Sequence, residues 1–360
     1  MFEVNQTTLG DYFRGPGREF AAALGLDEQC LQHATAQTLA WGVSNVVIRV
    51  DSPSGSLVVK QSRHQLRTQI DWFSRLDRIW REVDVMRALA KCVPVGSIPQ
   101  VLFEDRANYL YGMEAIAADH RVWKGELLEG RVDVSVAREL GAWLALVHRQ
   151  TSDRAELKEQ LGDRVVFDEL RLDPFYRYVA THDERVRTQL ESLIADSLVR
   201  QDCLVLADFS PKNVLLTHER PVVVDFETGH YGDPGFDLGF FLSHVLLKTV
   251  KNRPRPEASA NRFTEYLKLA QVFWGQYLAA LRVAEPPTWT ANAARSPHFE
   301  AQCVRHLAAC MLARVDGKSR VDYLDPDDLP LVRDFCHALL HDGVQSIDDA
   351  FERLTAVALR

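Results

Sequence analysis

The stretch from 206 to 239, LADFSPKNVLLTHERPVVVDFETGHYGDPGFDLG, sets two apolar, β-branched runs around the polar turn THER, the pattern of a hairpin. With 214–216 paired to 222–224 about a turn centred near Glu219, antiparallel pairing places Asn213 directly opposite Asp225, their side chains on one face. Glu227 lies beyond Asp225 and projects the same way if the strand continues. Three oxygen-bearing side chains then converge at one end of a hairpin, the donor type that Mg²⁺ prefers. Asp208 ends the apolar run 203–207 close to that cluster. A carboxylate there can orient and deprotonate an acceptor hydroxyl while metal ions neutralise a transferring phosphoryl group.

Upstream, residues 45–50 (NVVIRV) and 57–61 (LVVKQ) are short, β-branched and separated by DSPSGS, which predicts a second hairpin. Strand-like runs follow at 99–103 and 109–113. Residues 77–91 lack Gly and Pro and carry Ile79, Val83, Met86 and Leu89 at helical spacing. Lys60, in the second strand, is placed to meet phosphates, and Glu82 on the helix is its candidate ion-pair partner. Residues 1–117 therefore read as a sheet with one helix and form the expected nucleotide-binding lobe. Residues 118–360 read as a mainly helical catalytic and substrate-binding lobe, with helices marked by Val136, Leu140, Trp143, Leu144 and Val147, and by Phe263 through Leu281. Residues 284–297 are Pro-rich and read as a connection. The expected fold class is α+β and bilobal, with ligands in the cleft between the lobes.

The 360 residues carry 42 Lys+Arg against 50 Asp+Glu, a net charge of -8 that disfavours a general nucleic-acid binder. No apolar run reaches the roughly 18 to 20 residues of a membrane helix, and the N-terminus lacks the pattern of a signal peptide, so a cytoplasmic protein is expected. The six cysteines have no CxxC spacing and read as reduced thiols. Small-molecule chemistry is the class that remains.

These residues resemble the phosphotransferase family that includes aminoglycoside phosphotransferases and choline kinases, a branch of the protein-kinase-like fold, and within it most closely methylthioribose kinases. The catalytic loop of that family, H-G-D-x-x-x-x-N in its common form, corresponds to LADFSPKN, which implies Asp208 as catalytic base. The Asp-x-Glu metal motif of methylthioribose kinases corresponds to Asp225-Phe226-Glu227, which with Asn213 implies Mg²⁺ as the metal. GVSN, with Gly42, Ser44 and Asn45, resembles the nucleotide-covering loop, VVKQ the phosphate-lysine strand, and MEAI the hinge, implying adenine contacts around Glu114 and Ile116. DWFSRLDR resembles a Trp-containing loop, making Trp72 a candidate acceptor contact, and WKGELLEG resembles a further conserved stretch of that subfamily. CMLAR resembles a stretch whose arginine pair helps bind sugar, making Arg314 another acceptor contact. Asp237 is expected to support the catalytic loop.

Two departures stand out: Leu206-Ala207 replaces His-Gly, and Val315 replaces the second arginine. The expected function is an ATP-dependent kinase for a hydroxyl of a small metabolite, methylthioribose or a related sugar. Aminoglycoside- or choline-type activity, or a nucleotide-binding pseudokinase, are the alternatives. ATP and Mg²⁺ are the expected cofactors, and the resemblance implies a homodimer.

Cys303, His306 and Cys310 share a helical face that zinc could use, but their apolar neighbours favour a packed core helix. The arginines at 63, 67, 75, 78 and 81, near the proposed phosphate site, read mostly as solvated surface charges, with one or two available to assist a phosphate or an anionic substrate.

Overall fold

The computed structural model describes residues 1–39, 44–65, 73–255, 262–282 and 297–359. The N-terminal lobe is built on one antiparallel sheet of β1 (Thr35–Thr38), β2 (Asn45–Ser52), β3 (Gly55–Ser62), β4 (Val101–Asp105) and β5 (Leu110–Glu114), in the order β1-β2-β3-β5-β4. β2 and β3 form the expected hairpin, and its register places Val47, Lys60 and Tyr111 side by side across three strands. Helix α1 (Arg78–Leu89) covers the sheet, with Ile79, Val83, Met86 and Leu89 all buried, as the helical spacing requires.

The lobe holds more than a sheet with one helix. Three six-residue helices, Leu9–Arg14, Arg18–Ala23 and Glu28–His33, precede β1. They bury Tyr12 and Phe13 in a separate small core with Ile48, Val59 and Phe103. Each spans under two turns, too short for apolar periodicity to separate it from a loop. β1, the polar TAQT, has no strand signature in sequence either and exists by pairing with β2.

The C-terminal lobe is mainly helical. Its largest elements are α2 (Val134–Thr151), α3 (Pro234–Lys251), α4 (Phe263–Leu281), α5 (Pro297–Asp316) and α6 (Asp328–His341). α2 packs on α4 at Gly141, where a Cβ would lie 2.5 Å from the carbonyl oxygen of Phe273. α3 packs on α5 at Gly239, where it would lie 2.5 Å from the backbone nitrogen of Leu307. Phe209, next to Asp208, stacks on Trp143 and Phe241, with ring centroids 5.8 and 5.2 Å away, so the Asp208 loop is anchored in this core. Cys303, His306 and Cys310 are buried in α5, where His306 meets Tyr176 and Asp233, and all six cysteines are unbridged. Among the described residues, no helix is long and apolar enough to cross a membrane.

Two small sheets carry the functional loops into this lobe. β6 (Arg121–Val122), β8 (Val214–Leu216) and β9 (Pro221–Val223) form one, while β7 (Cys203–Val205) pairs with β10 (His230–Gly232). The β8–β9 register pairs Val214 with Val223, one residue away from the expected pairing, so Asn213 lies opposite Val224 and its carbonyl accepts from the Val224 amide at 3.0 Å. β9 ends at Val223 because Asp225 turns left-handed, at φ 72°. β7 likewise stops at Val205, before a left-handed Ala207 at φ 56°.

Candidate active site

A one-residue register shift would turn Asp225 to the opposite face of the hairpin from Asn213. The left-handed backbone at Asp225 ends the strand's alternation and re-aims the carboxylate into the cleft. Its Oδ1 accepts from Lys60 Nζ at 2.6 Å. Lys60 is 4 % exposed and also donates to Glu82 at 2.8 Å. Burial alone would depress the lysine, but Asp225 and then Glu82 outweigh it and hold the ammonium well above its ordinary value. Burial would raise the Asp225 carboxyl, yet Lys60, followed by Lys212, holds it down at about 2. Burial dominates at Glu82 and pushes its carboxyl up to about 7, against the pull of Lys60. Glu82 also accepts from the Phe226 amide at 3.1 Å, so one helical residue fixes both the lysine and the Asp225–Glu227 loop.

Glu227 is tied to the other lobe. Its carboxylate accepts from Ser44 Oγ at 2.5 Å, Asn45 Nδ2 at 2.9 Å and Arg78 Nε at 3.2 Å. Arg78 is therefore not one of the solvated charges that the sequence pattern predicts. It is 1 % exposed and binds the Ser44 carbonyl as well. A buried guanidinium needs a carboxylate and several acceptors around it, and this clamp supplies them.

Asp208 sits between cations. Its oxygens accept from Arg171 Nη2 and Lys212 Nζ, each at 2.8 Å, and from Asn213 Nδ2 at 2.9 Å. Arg171 comes from a ten-residue π-helix, Asp168–Arg177, a wound-out geometry that recurs at functional sites. Behind the loop, the fully buried Asp237 accepts from the Leu206 amide at 2.8 Å, the Ala207 amide at 2.7 Å and His148 Nε2 at 3.2 Å. The expected support from Asp237 is thus direct, and it holds the loop backbone with Leu206 and Ala207 in place of the usual pair.

Above these groups lies a cavity of about 400 Å³, open between the lobes. Ser44, Asn45, Lys60, Glu114, Ile116, Asn213 and Asp225 line it, together with apolar walls from Val47, Val58, Leu215 and Val224. An aromatic base fits such walls, with phosphates toward Lys60. Asn213 spends its amide hydrogens on Asp208, which leaves Oδ1 toward the cavity without a hydrogen bond among the described residues. Asp225 Oδ2 is likewise unengaged, so two residues lining the cavity carry hard oxygen donors of the kind that suits Mg²⁺. Among the described residues, no three His, Cys, Asp or Glu side chains converge on one metal position.

The chain matches the model of the APH phosphotransferase enzyme family over residues 35–272, from β1 into α4 and across both sides of this cleft. The chain belongs to that family. The phosphotransferase is 24% identical to a methylthioribose kinase of Yersinia pseudotuberculosis over 363 residues, covering 89% of this chain and 88% of the relative. It is 25% identical to a methylthioribose kinase of Exiguobacterium sibiricum over 271 residues, covering 66% and 68%. A choline kinase of Cryptosporidium parvum, 12% identical, superposes with a TM-score of 0.50 over 95% of this chain and 94% of its own, and shares the protein-kinase-like fold. The phosphotransferase therefore has that bilobal fold, binds ATP and transfers phosphate to a hydroxyl acceptor.

Of the residues expected at the site, Gly42 and Trp72 lie outside the described residues. Arg314, on α5, donates to Ser319 Oγ at 2.7 Å and packs its guanidinium 5.7 Å from the Phe175 ring, and it does not line the cavity between the lobes. Three contributors to the phosphotransferase site escape the sequence reading. Lys212 is inside the decisive loop, four residues past Asp208, and its place next to Asn213 is a usable signal. Arg171 has none, because a π-helix has no recognisable period in sequence. Arg49, whose Nη1 donates to the Ile116 carbonyl at 2.6 Å, reaches the hinge from β2 and is equally silent.

Proposed function

We propose that this phosphotransferase is an ATP- and Mg²⁺-dependent kinase of a small metabolite, with methylthioribose or a related sugar as acceptor. Lys60, steadied by Glu82, binds the phosphates, and the base lies between the valine walls beside the hinge at Glu114 and Ile116. Asn213 and Asp225 hold the metal. Glu227 reaches the ion only by giving up the donors it now holds, so its first task is to fix Ser44 and Asn45 over the nucleotide. The metal, when bound, neutralises charge on the transferring group. Asp208, held between Arg171 and Lys212, orients the acceptor hydroxyl and receives its proton.

The observation that carries the proposal is Lys60 gripped by Glu82 at 2.8 Å and Asp225 at 2.6 Å, which joins both lobes at the phosphate position. Alanine at 207 and leucine at 206 leave the loop backbone held by Asp237, which favours an active enzyme over a pseudokinase. The test is Mg²⁺-dependent transfer from ATP to methylthioribose, pentoses, choline and aminoglycosides. Asp208→Asn is expected to cut kcat by about 10²- to 10⁴-fold with little change in KM for ATP. Nucleotide binding without turnover on any of these acceptors, unchanged by Asp208→Asn, would establish the pseudokinase instead.

A further inference from the structure

Several buried basic side chains that do not line the cleft cavity gather around Arg171, the partner of Asp208. Arg171, paired to Asp208, lies 5.7 Å from the Phe175 ring and 5.5 Å from the Phe240 ring. Arg314 packs on the same Phe175 ring. Phe240 stacks on Phe175 at 6.1 Å and meets the His244 ring at 4.9 Å. Lys248 follows His244 by one turn of α3, with its ammonium 4.9 Å from the Tyr323 ring. Arg171, Arg314 and His244 thus meet one pair of aromatic rings beside the proposed base, and Lys248 lies one helical turn beyond His244.

Arg171 is balanced by Asp208, but among the described residues the charges of Lys248 and Arg314 are not. Lys248 is 1 % exposed, and among the described residues its ammonium donates only to the His244 carbonyl at 3.0 Å and to the Tyr323 hydroxyl at 3.5 Å. Among the described residues, no carboxylate lies within ion-pair distance of Lys248 or Arg314, and Arg314 Nε and His244 Nε2 are buried without a hydrogen-bond partner. Burying a cation without its counter-charge costs several kcal/mol, and Met or Leu would fill the same space without that cost. Nor does overall composition account for it, since the chain carries a net charge of -8.

We propose that the phosphoryl acceptor carries an anionic group, a carboxylate or a phosphate monoester, which seats on Lys248 and Arg314 and presents its hydroxyl to Asp208. The inference rests on the kinase reading above and, among the acceptors that reading allows, selects an anionic sugar or other anionic metabolite over the uncharged methylthioribose. In the step itself, the acceptor oxygen bonds to the γ-phosphorus as the bond to the β,γ-bridging oxygen breaks. The hydroxyl proton passes to Asp208 and ADP leaves. Burial, then Lys124 and Arg314, hold Lys248 down at about 7, a deficit that an arriving anion reverses.

The test is steady-state kinetics of the full chain with ATP and Mg²⁺ on matched acceptors: ribose, ribonate and ribose 5-phosphate, then glycerol, glycerate and glycerol 3-phosphate. An anionic member of a set should exceed its neutral partner at least tenfold in kcat/KM, and the better anion identifies carboxylate or phosphate as the group recognised. Lys248→Met should raise KM for that anion at least tenfold without moving KM for ATP, and Lys248→Arg should recover part of it. Arg314→Gln is the parallel variant if Lys248→Met does not fold. Independently of turnover, inorganic phosphate or acetate added to wild-type protein saturated with AMP-PNP should raise its Tm saturably, and Lys248→Met should abolish that rise. Preference for neutral acceptors, or no saturable rise with either anion, overturns the inference while leaving the kinase reading intact. Nucleotide binding with no transfer to any acceptor, neutral or anionic, defeats the kinase reading and this inference with it.

Discussion

Ala207 holds φ at 56°, a conformation that costs a residue with a Cβ about 1–2 kcal/mol, at the position where the family's loop has glycine. It is kept there by its amide bond to Asp237 at 2.7 Å. Ala207→Gly should relieve that strain but give the unfolded chain about 0.4–1 kcal/mol more entropy to lose. The expected net gain lies between about 0 and about 1.6 kcal/mol, read as a higher urea midpoint at unchanged slope; a lower midpoint would mean that Ala207 is not strained. Lys248 makes the opposite case, a charge the fold does not want. Its value falls from the usual 10.5 to about 7 through burial, Lys124 and Arg314, with neutral His244 and Tyr323 completing its surroundings. The unfolded chain therefore binds this proton more tightly, and the folded state loses stability as pH falls from 10.5 toward 7, after which the penalty stays level. Lys248→Met should raise Tm most below about pH 7, with the advantage fading toward about pH 10. An advantage independent of pH would show that the ammonium is not destabilised.

At the scale of elements, α3 links the catalytic loop to the core. Asp237 holds the loop, and at Gly239 the helix backbone meets that of α5 so closely that a Cβ would lie 2.5 Å from Leu307 N. Backbone cannot swing aside as a side chain can, so Gly239→Ala should destabilise by about 1–3 kcal/mol in urea unfolding and lower kcat by tilting Asp237. Unchanged stability would mean that the two helices separate freely. Much of this scale is legible in sequence: β-branched runs gave β2 and β3, and Ile79, Val83, Met86 and Leu89 gave α1, because each pattern is set by which face is buried. The hairpin at 214–223 was legible as an element but not in register. Its turn runs from Thr217 to Arg220, whose backbone and side-chain bonds fix the pairing one residue from a symmetric guess. That shift and the left-handed Asp225 compensate each other, and neither is visible in residue types alone. Arg78 and Arg171 were missed for a related reason, since their carboxylates lie far away in the chain.

At the scale of the whole molecule, the lobes are joined through the site itself. Lys60 binds Asp225, Arg78 binds Glu227, Ser44 and Asn45 bind Glu227, and Glu82 binds the Phe226 amide, all from the N-terminal lobe to one loop of the C-terminal lobe. The nucleotide cavity draws its walls from both sides of the same junction. A ligand that binds only the assembled cleft stabilises it by about 2.7 kcal/mol at a hundredfold excess over Kd. Calorimetry of the wild-type chain should therefore show one transition that AMP-PNP with Mg²⁺ moves upward as a unit. Glu227→Ala removes the carboxylate facing a buried guanidinium, a loss on the order of 3–5 kcal/mol. Because that loss falls on the junction and not on the core around α2 to α5, the variant should melt in two steps, the N-terminal lobe first, with nucleotide shifting the first step more than the second. A single transition lowered as a whole would instead show that the lobes are coupled by packing outside the cleft.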